Sequence, residues 1–568
     1  MFFSFRKQAV TALAGLALII AALAITASAN VPGLSPSAPA ATGSTYVEAV
    51  VGAPRFVNPL LSMSDTDTDL AHLVFSGLTR VDSEGNIALD MASEWQVSPD
   101  GRVYTFTLKP DLKWHDGKPV TSDDLIATFG LLRALDFPGD PALVARWRDI
   151  TVEAPSLQAV RFTLLAPNAS FLQFTTLGML PKHLWSSVKP AEMVSSDLNQ
   201  SPVGSGPWRY VRDEALSPGA ASNRQGTPVP GGISPAEGVL LERNRDLTST
   251  NSRIARLWFR IYPTFGAALS GFKMGEAHGL GHIPSDRVGE VEAVPGVTLH
   301  KESLARYTML ILNLRSPLFD KVETRKAVEL AIDREALIAG GLGGLGRPLE
   351  SPILPGSWAH DPSIKVRGYD PAEARRLLDS AGWKLGAGGV RVRDGVTLTV
   401  ALAANKELPA NVEVAEQITG YLKAVGIDAQ LALVGRDALL REYLNPRAFH
   451  IVLAGWEANG ADPDVFQYWH SSQANVQGGL NFSGWSNAQA DEALQGALLT
   501  QDKEERTKRY LSFQQAFYAD VPSVILYSPL YTYATRSPAM GVTLPSTDIV
   551  SPAARFDTFQ GWSLAGSR

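Results

Sequence analysis

The chain has 568 residues, with 51 basic against 57 acidic side chains and a formal net charge of −6. That length exceeds the roughly 250–300 residues at which one hydrophobic core stops growing, so at least two lobes are expected. A composition of 45% hydrophobic and 19% charged residues is that of a globular protein and excludes a fibrous or disordered one; no basic excess favours a nucleic-acid partner. The sequence contains no cysteine, which rules out disulfides, thiol nucleophiles, cysteine-held metal and a lipid-modified N-terminal cysteine.

The N-terminus reads as an export segment over residues 1–29. Arg6 and Lys7 precede an apolar run from Ala9 to Ile25, and Ala27-Ser28-Ala29 has the small–x–small form of a cleavage site. The run, about 17 residues, is short for a spanning helix and long for a signal segment, so a signal peptide and a retained anchor both stay open. Either way the rest of the chain is expected outside the cytoplasm. Residues 30–44, rich in Pro, Ser, Ala and Gly, read as a tether.

Beyond it, strand-like and helix-like runs alternate, which points to mixed α/β lobes. Val103–Leu108 alternates with period two and predicts a strand with Tyr104, Phe106 and Leu108 inward. Residues 214–238 have almost no apolar periodicity and read as a surface loop. Asp370-Pro371-Ala372-Glu373 predicts a helix start, with Asp370 as cap, Pro371 in the first turn and Glu373 as the reciprocal cap; Gly382 ends it. Val414, Ile418, Tyr421, Leu422 and Val425 predict a second helix stopped by Gly426, with a strand from Ala429 to Val434 behind it. Tyr510, Phe513 and Phe517 form a helical stripe that reads as core.

Several motifs fail their context tests. Gly341 to Gly346 matches G-x-G-x-x-G, but a helical pattern precedes it and Pro348 follows, so it reads as a loop rather than a dinucleotide site. Asp65, Asp67 and Asp69 resemble the start of a calcium loop, but Leu70 and Ser76 stand where Gly and Glu are needed; helix capping is the better reading. His278 and His282 have zinc spacing without the accompanying Glu, and read as solvated loop histidines. No catalytic motif survives, and no metal or other cofactor is expected. Late in the chain Trp456, Trp469 and Trp485 cluster with Phe466, Tyr468 and Phe482, interleaved with Asn459, Asn475, Asn481 and Asn487. Flat aromatic faces beside neutral amides suit a cleft for a polar organic ligand, although most of these rings are expected in the core.

The order of segments then carries a resemblance. Ala92-Ser93-Glu94-Trp95, Ser98-Pro99-Asp100-Gly101, Tyr104-Thr105-Phe106 and Trp114-His115-Asp116-Gly117-Lys118-Pro119-Val120-Thr121 closely resemble the signature of family 5 extracellular solute-binding proteins, the peptide/nickel-type receptors of ABC importers. Gly204-Ser205-Gly206-Pro207-Trp208, Glu242-Arg243-Asn244, the block from Asn313 through Arg325-Lys326-Ala327 to Ala331-Ile332-Asp333-Arg334, and Gly455-Trp456 with Asp462-Pro463-Asp464 continue it. The similarity covers about residues 45–535.

The resemblance implies an α/β, two-lobed periplasmic-binding-protein-like fold with an extra subdomain in lobe I. Lobe I would comprise 45–92, 205–305 and 520–568, the extra subdomain 93–204, and lobe II 306–519, with crossovers near 300–315 and 515–530. It further implies a monomer that closes on one solute, an oligopeptide, modified peptide or oligosaccharide, and delivers it to a membrane permease. The signature around His115 would be structural, and Asp462, followed by Pro463, is expected to cap a helix. Trp456 is the expected wall, with Asn481 and Phe482 beside it, Tyr307 and Asn313 at a crossover and Asn58 on the first lobe. In peptide-binding members an Asp shortly after the Gly-Trp pair anchors the ligand's ammonium group. The matching position here is Asn459, which brings no charge; Glu457 or Asp462 would have to supply it. A secreted hydrolase on a similar frame, or a signalling or chaperone-like binding protein, are the alternative readings.

Overall fold

The computed structural model describes residues 44–211, 238–244, 253–457, 461–476, 478–545 and 551–565. The export segment, the tether except for Ser44, Asn459 and all but the end of the predicted 214–238 loop lie outside them.

Val103–Leu108 forms the expected strand and buries Tyr104, Phe106 and Leu108. It lies inside a four-stranded antiparallel sheet in the order Ala92–Val97, Val103–Leu108, Ala159–Thr163, Thr151–Ser156. This sheet belongs to the extra subdomain. Its aromatic interior, with Phe129, Trp147, Phe162 and Phe171, is continuous with one face of the lobe I sheet.

The lobes share one large sheet. Its order is Asp428–Val434, Thr399–Asn405, Ile451–Glu457, Arg306–Leu312, Ser523–Arg536, Gly279–Leu280, Ser44–Val51, Ile254–Tyr262, Gly238–Arg243, Trp208–Tyr210. Strand Ser523–Arg536 serves both halves. Residues 523–527 pair with Arg306–Leu312 in lobe II, and residues 530–536 pair with Val297–Ser303 in lobe I. The chain passes between the halves at Leu304 and Ala305, where Leu304 N donates to Pro529 O at 3.2 Å and Ser528 Oγ donates to Leu304 O at 2.9 Å. Separate apolar clusters cover the two faces of the lobe II sheet.

The helix starts behave largely as their sequences predict. Asp370 caps helix Pro371–Ser380 by accepting from Ala372 N and Glu373 N, and Gly382 follows with φ of +94°. Glu373 does not complete a reciprocal box; its carboxylate binds Arg376 instead, an ion pair three residues on. Helix Pro409–Ala424 and strand Asp428–Val434 lie where expected. In helix Lys503–Asp520 the Tyr510, Phe513 and Phe517 stripe is buried. The glycine motif runs from the end of helix Arg334–Gly341 to strand Gly346–Pro348, with no strand before it.

The Asp65–Asp69 run opens helix Asp65–Val74, but the cap is Ser64 in a box completed by Asp67. Asp69 has a different task. Arg555, carried in by the C-terminal 3-10 helix Pro552–Gly561, is fully buried between Asp69 and Glu48, which are themselves buried. The guanidinium binds Asp69 at 2.8 and 2.5 Å and Glu48 at 3.0 Å, and Tyr533 donates to Glu48 at 2.7 Å. Removing one member leaves buried charge uncompensated. Arg555→Met is therefore expected to lower the unfolding free energy by about 3–5 kcal/mol, read by urea denaturation. A loss below about 1 kcal/mol would contradict this account of the lobe I core.

Candidate ligand cleft

The crossover end of the lobe II sheet carries the aromatic wall. Trp456, half-buried on strand Ile451–Glu457, lies across from Tyr307 on strand Arg306–Leu312. Its ring stacks on Phe482 at 5.7 Å with 17° between planes, and Tyr468 packs at 5.3 Å and 35°. On Phe482, 4.5 Å from the ring centroid, lies the Arg447 guanidinium. Glu457, the last residue of the strand, is 78% exposed and binds Arg306 at 2.9 Å.

The edge of this strand is unusual. Toward Arg306–Leu312 it is paired along its whole length, from Ile451 to Glu457. Toward Thr399–Asn405 the pairing covers only Ile451, Val452 and Leu453. Among the described residues, Ala454–Glu457 therefore present a sheet edge without a strand partner beside Trp456. Gly455 keeps the surface low there, its nearest neighbour for an added Cβ being Tyr307 O at 3.5 Å.

Two of the asparagines named from sequence, Asn481 and Asn313, are buried behind this wall with their amides already engaged. Asn481 Nδ2 donates to Trp485 O at 2.9 Å and His470 O at 3.1 Å, and its Oδ1 accepts from Ser483 and Gly484. It clamps the loop that carries Phe482. Asn313 Nδ2 donates to Phe449 O at 2.8 Å and Arg447 O at 3.0 Å, fixing Arg447 in the left-handed region at φ of +58°. Arg315 adds bonds to Phe482 O and Ala474 O. Asn58, on the first lobe, accepts from Leu60 N and donates to Asn199. Tyr307 is 2% exposed, and burial holds its phenol well above the ordinary range. No sequence signal separates an amide that staples a loop from one that meets a ligand; the difference lies in which carbonyls the fold brings near.

Two expectations need correction. Asp462 does not cap a helix. It forms a bidentate pair with Arg506, at 2.7 and 2.8 Å, and accepts from Ser170 Oγ of the extra subdomain at 2.8 Å. The following helix, Phe466–Trp469, starts at Val465 without a side-chain cap, and Asp464 just before it accepts from Phe466 N at 2.9 Å. Asp462 is thus spent and does not supply an ammonium anchor. The two histidines are not solvated loop residues. His278 Nδ1 accepts from Val47 N at 2.9 Å, and burial, helped by Arg536, lowers its pKa to about 4. It is neutral, as an acceptor must be. His282 binds Asp65 at 3.0 Å and lies 3.7 Å from Asp69. Burial disfavours its charge, but the two carboxylates outweigh that and raise its pKa to about 9. Gly279 and Gly281 between them are required: a Cβ at either would strike the side chains of Glu48, Tyr533 or Tyr531. Among the described residues no cluster of three or more metal-ligating side chains is present.

The family signature is structural in this chain. His115 Nε2 meets Gly206 O at 3.0 Å while its Nδ1 accepts from Gly204 N at 3.3 Å, so two sequence blocks lock together. A separate cavity of about 430 Å³ opens between helix Ser122–Leu132 and residues 182–190. Its walls are largely apolar, and its Lys182 and Lys189 are paired to Asp123 and Glu192.

Two lobes of mixed α/β structure joined by short crossovers are the architecture of a solute-binding protein. A family model, bacterial extracellular solute-binding proteins, family 5 Middle, matches residues 86–478. The chain belongs to that family. It is 26% identical over 522 residues to the oligopeptide-binding protein AppA of Bacillus subtilis, covering 90% of this chain and 91% of that one. It is also 26% identical to di/tripeptide-binding protein 1 of Pseudomonas aeruginosa, over 89% of this chain and 94% of the relative. Among solved structures it matches B. subtilis AppA in complex with a nonapeptide at 25% identity and a TM-score of 0.67, covering 92% of this chain and 99% of that one. NikZ of Campylobacter jejuni in complex with Ni(L-His) matches at 26% identity and a TM-score of 0.67, over 91% and 99%. HbpA2 of Haemophilus parasuis, at 22% identity, shares the fold with a TM-score of 0.75 over 92% and 100%.

The His282–Asp65 tie gives a pH prediction. Because the folded pKa, about 9, exceeds the ordinary value near 6.5, the imidazolium contributes stability that is complete below about pH 6.5 and is lost as pH rises through about 9. Between pH 7 and pH 10 the wild-type melting temperature is expected to fall about 1–2 °C further than that of His282→Gln. Equal falls would contradict the tie.

Proposed function

We propose that the protein is the extracytoplasmic substrate receptor of an ABC importer, that it binds a peptide or peptide-like solute without turning it over, and that it hands the solute to a membrane permease by hinge closure. The observation that carries the peptide reading is the open edge at Ala454–Glu457 beside Trp456. An extended peptide pairs with such an edge through its backbone, which gives affinity independent of side chains. The relatives that bind peptides by name support the same class.

Trp456 is the stacking surface, backed by Phe482. Tyr307, Asn313, Asn481 and Asn58 hold the surfaces on either side of the cleft. Asn459 contacts the solute from the segment just beyond Glu457. With Asp462 engaged by Arg506, the exposed carboxylate of Glu457, next to Trp456 in the chain, receives the ligand's ammonium group. The export-like N-terminal sequence supports a location at the outer face of the cytoplasmic membrane or in the periplasm, where the protein acts as a monomer. No helix among the described residues is long and apolar enough to cross a membrane.

Tryptophan emission and calorimetry with unblocked di- to octapeptides test this. Trp456→Ala is expected to weaken binding at least about tenfold, since buried aromatic anchors dominate such interfaces. Glu457 is largely exposed, so Glu457→Gln is expected to weaken unblocked peptides only about threefold to fivefold and N-acetylated ones not at all. Oligosaccharides binding where peptides do not would overturn the peptide reading and leave the receptor reading standing.

A further inference from the structure

Closure needs a contact that forms and breaks cheaply, and the extra subdomain offers one against lobe II. Ser170 opens the short helix Phe171–Phe174. Its hydroxyl donates to Asp462 at 2.8 Å and accepts from Arg506 at 3.2 Å. Next to it, Ala169 N donates to Leu498 O at 3.0 Å. A third rung runs from Gln501 Nε2 to the Tyr104 hydroxyl at 2.8 Å, and Tyr104 in turn donates to Asn168 O at 2.7 Å. All three rungs join a subdomain whose core is continuous with lobe I to the helical layer of lobe II.

We propose that these rungs form a latch that sets how often the empty receptor is closed, with Ser170 as its central residue; this rests on the hinge-closure reading above. The chemistry suits a reversible catch. Asp462 and Arg506 sit on the same lobe and satisfy each other whether the cleft is open or shut, so no buried charge is stranded on opening. What these three rungs give up on opening is a hydroxyl, an amide side chain and one backbone bond, each of modest net worth in water. A hydroxyl docking on a preformed ion pair parts without separating opposite charges. Because no rung touches the aromatic wall, the latch acts on every solute alike, by changing the fraction of protein able to hold it.

The absence of cysteine makes the test clean. Leu165 and Leu499 are exposed on either side of the seam and accept paired labels as Leu165→Cys and Leu499→Cys. In the ligand-free full-length protein, Ser170→Ala is expected to lower the closed-to-open ratio about threefold to tenfold, the span of one lost hydrogen bond. Gln501→Ala, on a separate rung, is expected to act in the same direction, with melting temperatures unchanged in both. Ratios equal to wild type in both variants would overturn the latch. The readout needs no solute, so its failure is distinct from failure of the peptide reading, which calorimetry alone decides.

Discussion

One strand belongs to both halves of this molecule. Ser523–Arg536 pairs with lobe II at its start and with lobe I at its end, so the two sheets cannot be assembled independently. The return crossing is limited to Leu304 and Ala305, whose backbone is tied to Ser528 and Pro529. A strand shared in this way ties the two halves together along one line. Arg306 and Tyr307 leave the crossing directly opposite Glu457 and Trp456, so the aromatic wall lies beside the shared strand.

The wall itself is held from behind. Trp456 rests on Phe482, Phe482 lies against Arg447, and Arg447 is kept in a strained backbone conformation by Asn313. Asn481 and Arg315 clamp the loop between. These are neutral or charged donors paid out to backbone carbonyls, which is how a loop at the end of a sheet gains the rigidity of the sheet. A surface so braced has little conformational freedom left to lose.

Much of the fold was legible because its signals are local. The alternation in Val103–Leu108, the Asp370-Pro371 helix start and the stripe on Lys503–Asp520 each depend on neighbours within a few residues. The ordered motifs were legible for another reason: they mark where distant blocks meet, as His115 meets Gly204 and Gly206. The site was less so. Asp462 looked like a cap because Pro463 follows it, but its partners are Arg506 and Ser170, 44 and 292 positions away. His282 looked solvated because its partners Asp65 and Asp69 lie on a helix more than two hundred residues earlier. Asn313 and Asn481 carried the right chemistry for a ligand, yet which carbonyls a side chain meets is a property of the tertiary fold.

The claim on which the functional account stands is that a peptide backbone completes the sheet edge at Ala454–Glu457. Hydrogen–deuterium exchange of the full-length protein, with and without a saturating mixture of unblocked di- to octapeptides, reads it directly. Slowed exchange concentrated in residues 451–457 and in the facing strand at 306–308 is the predicted result. Peptide binding that leaves those amides unchanged and protects another region, such as the cavity lined by residues 127–190, would contradict it.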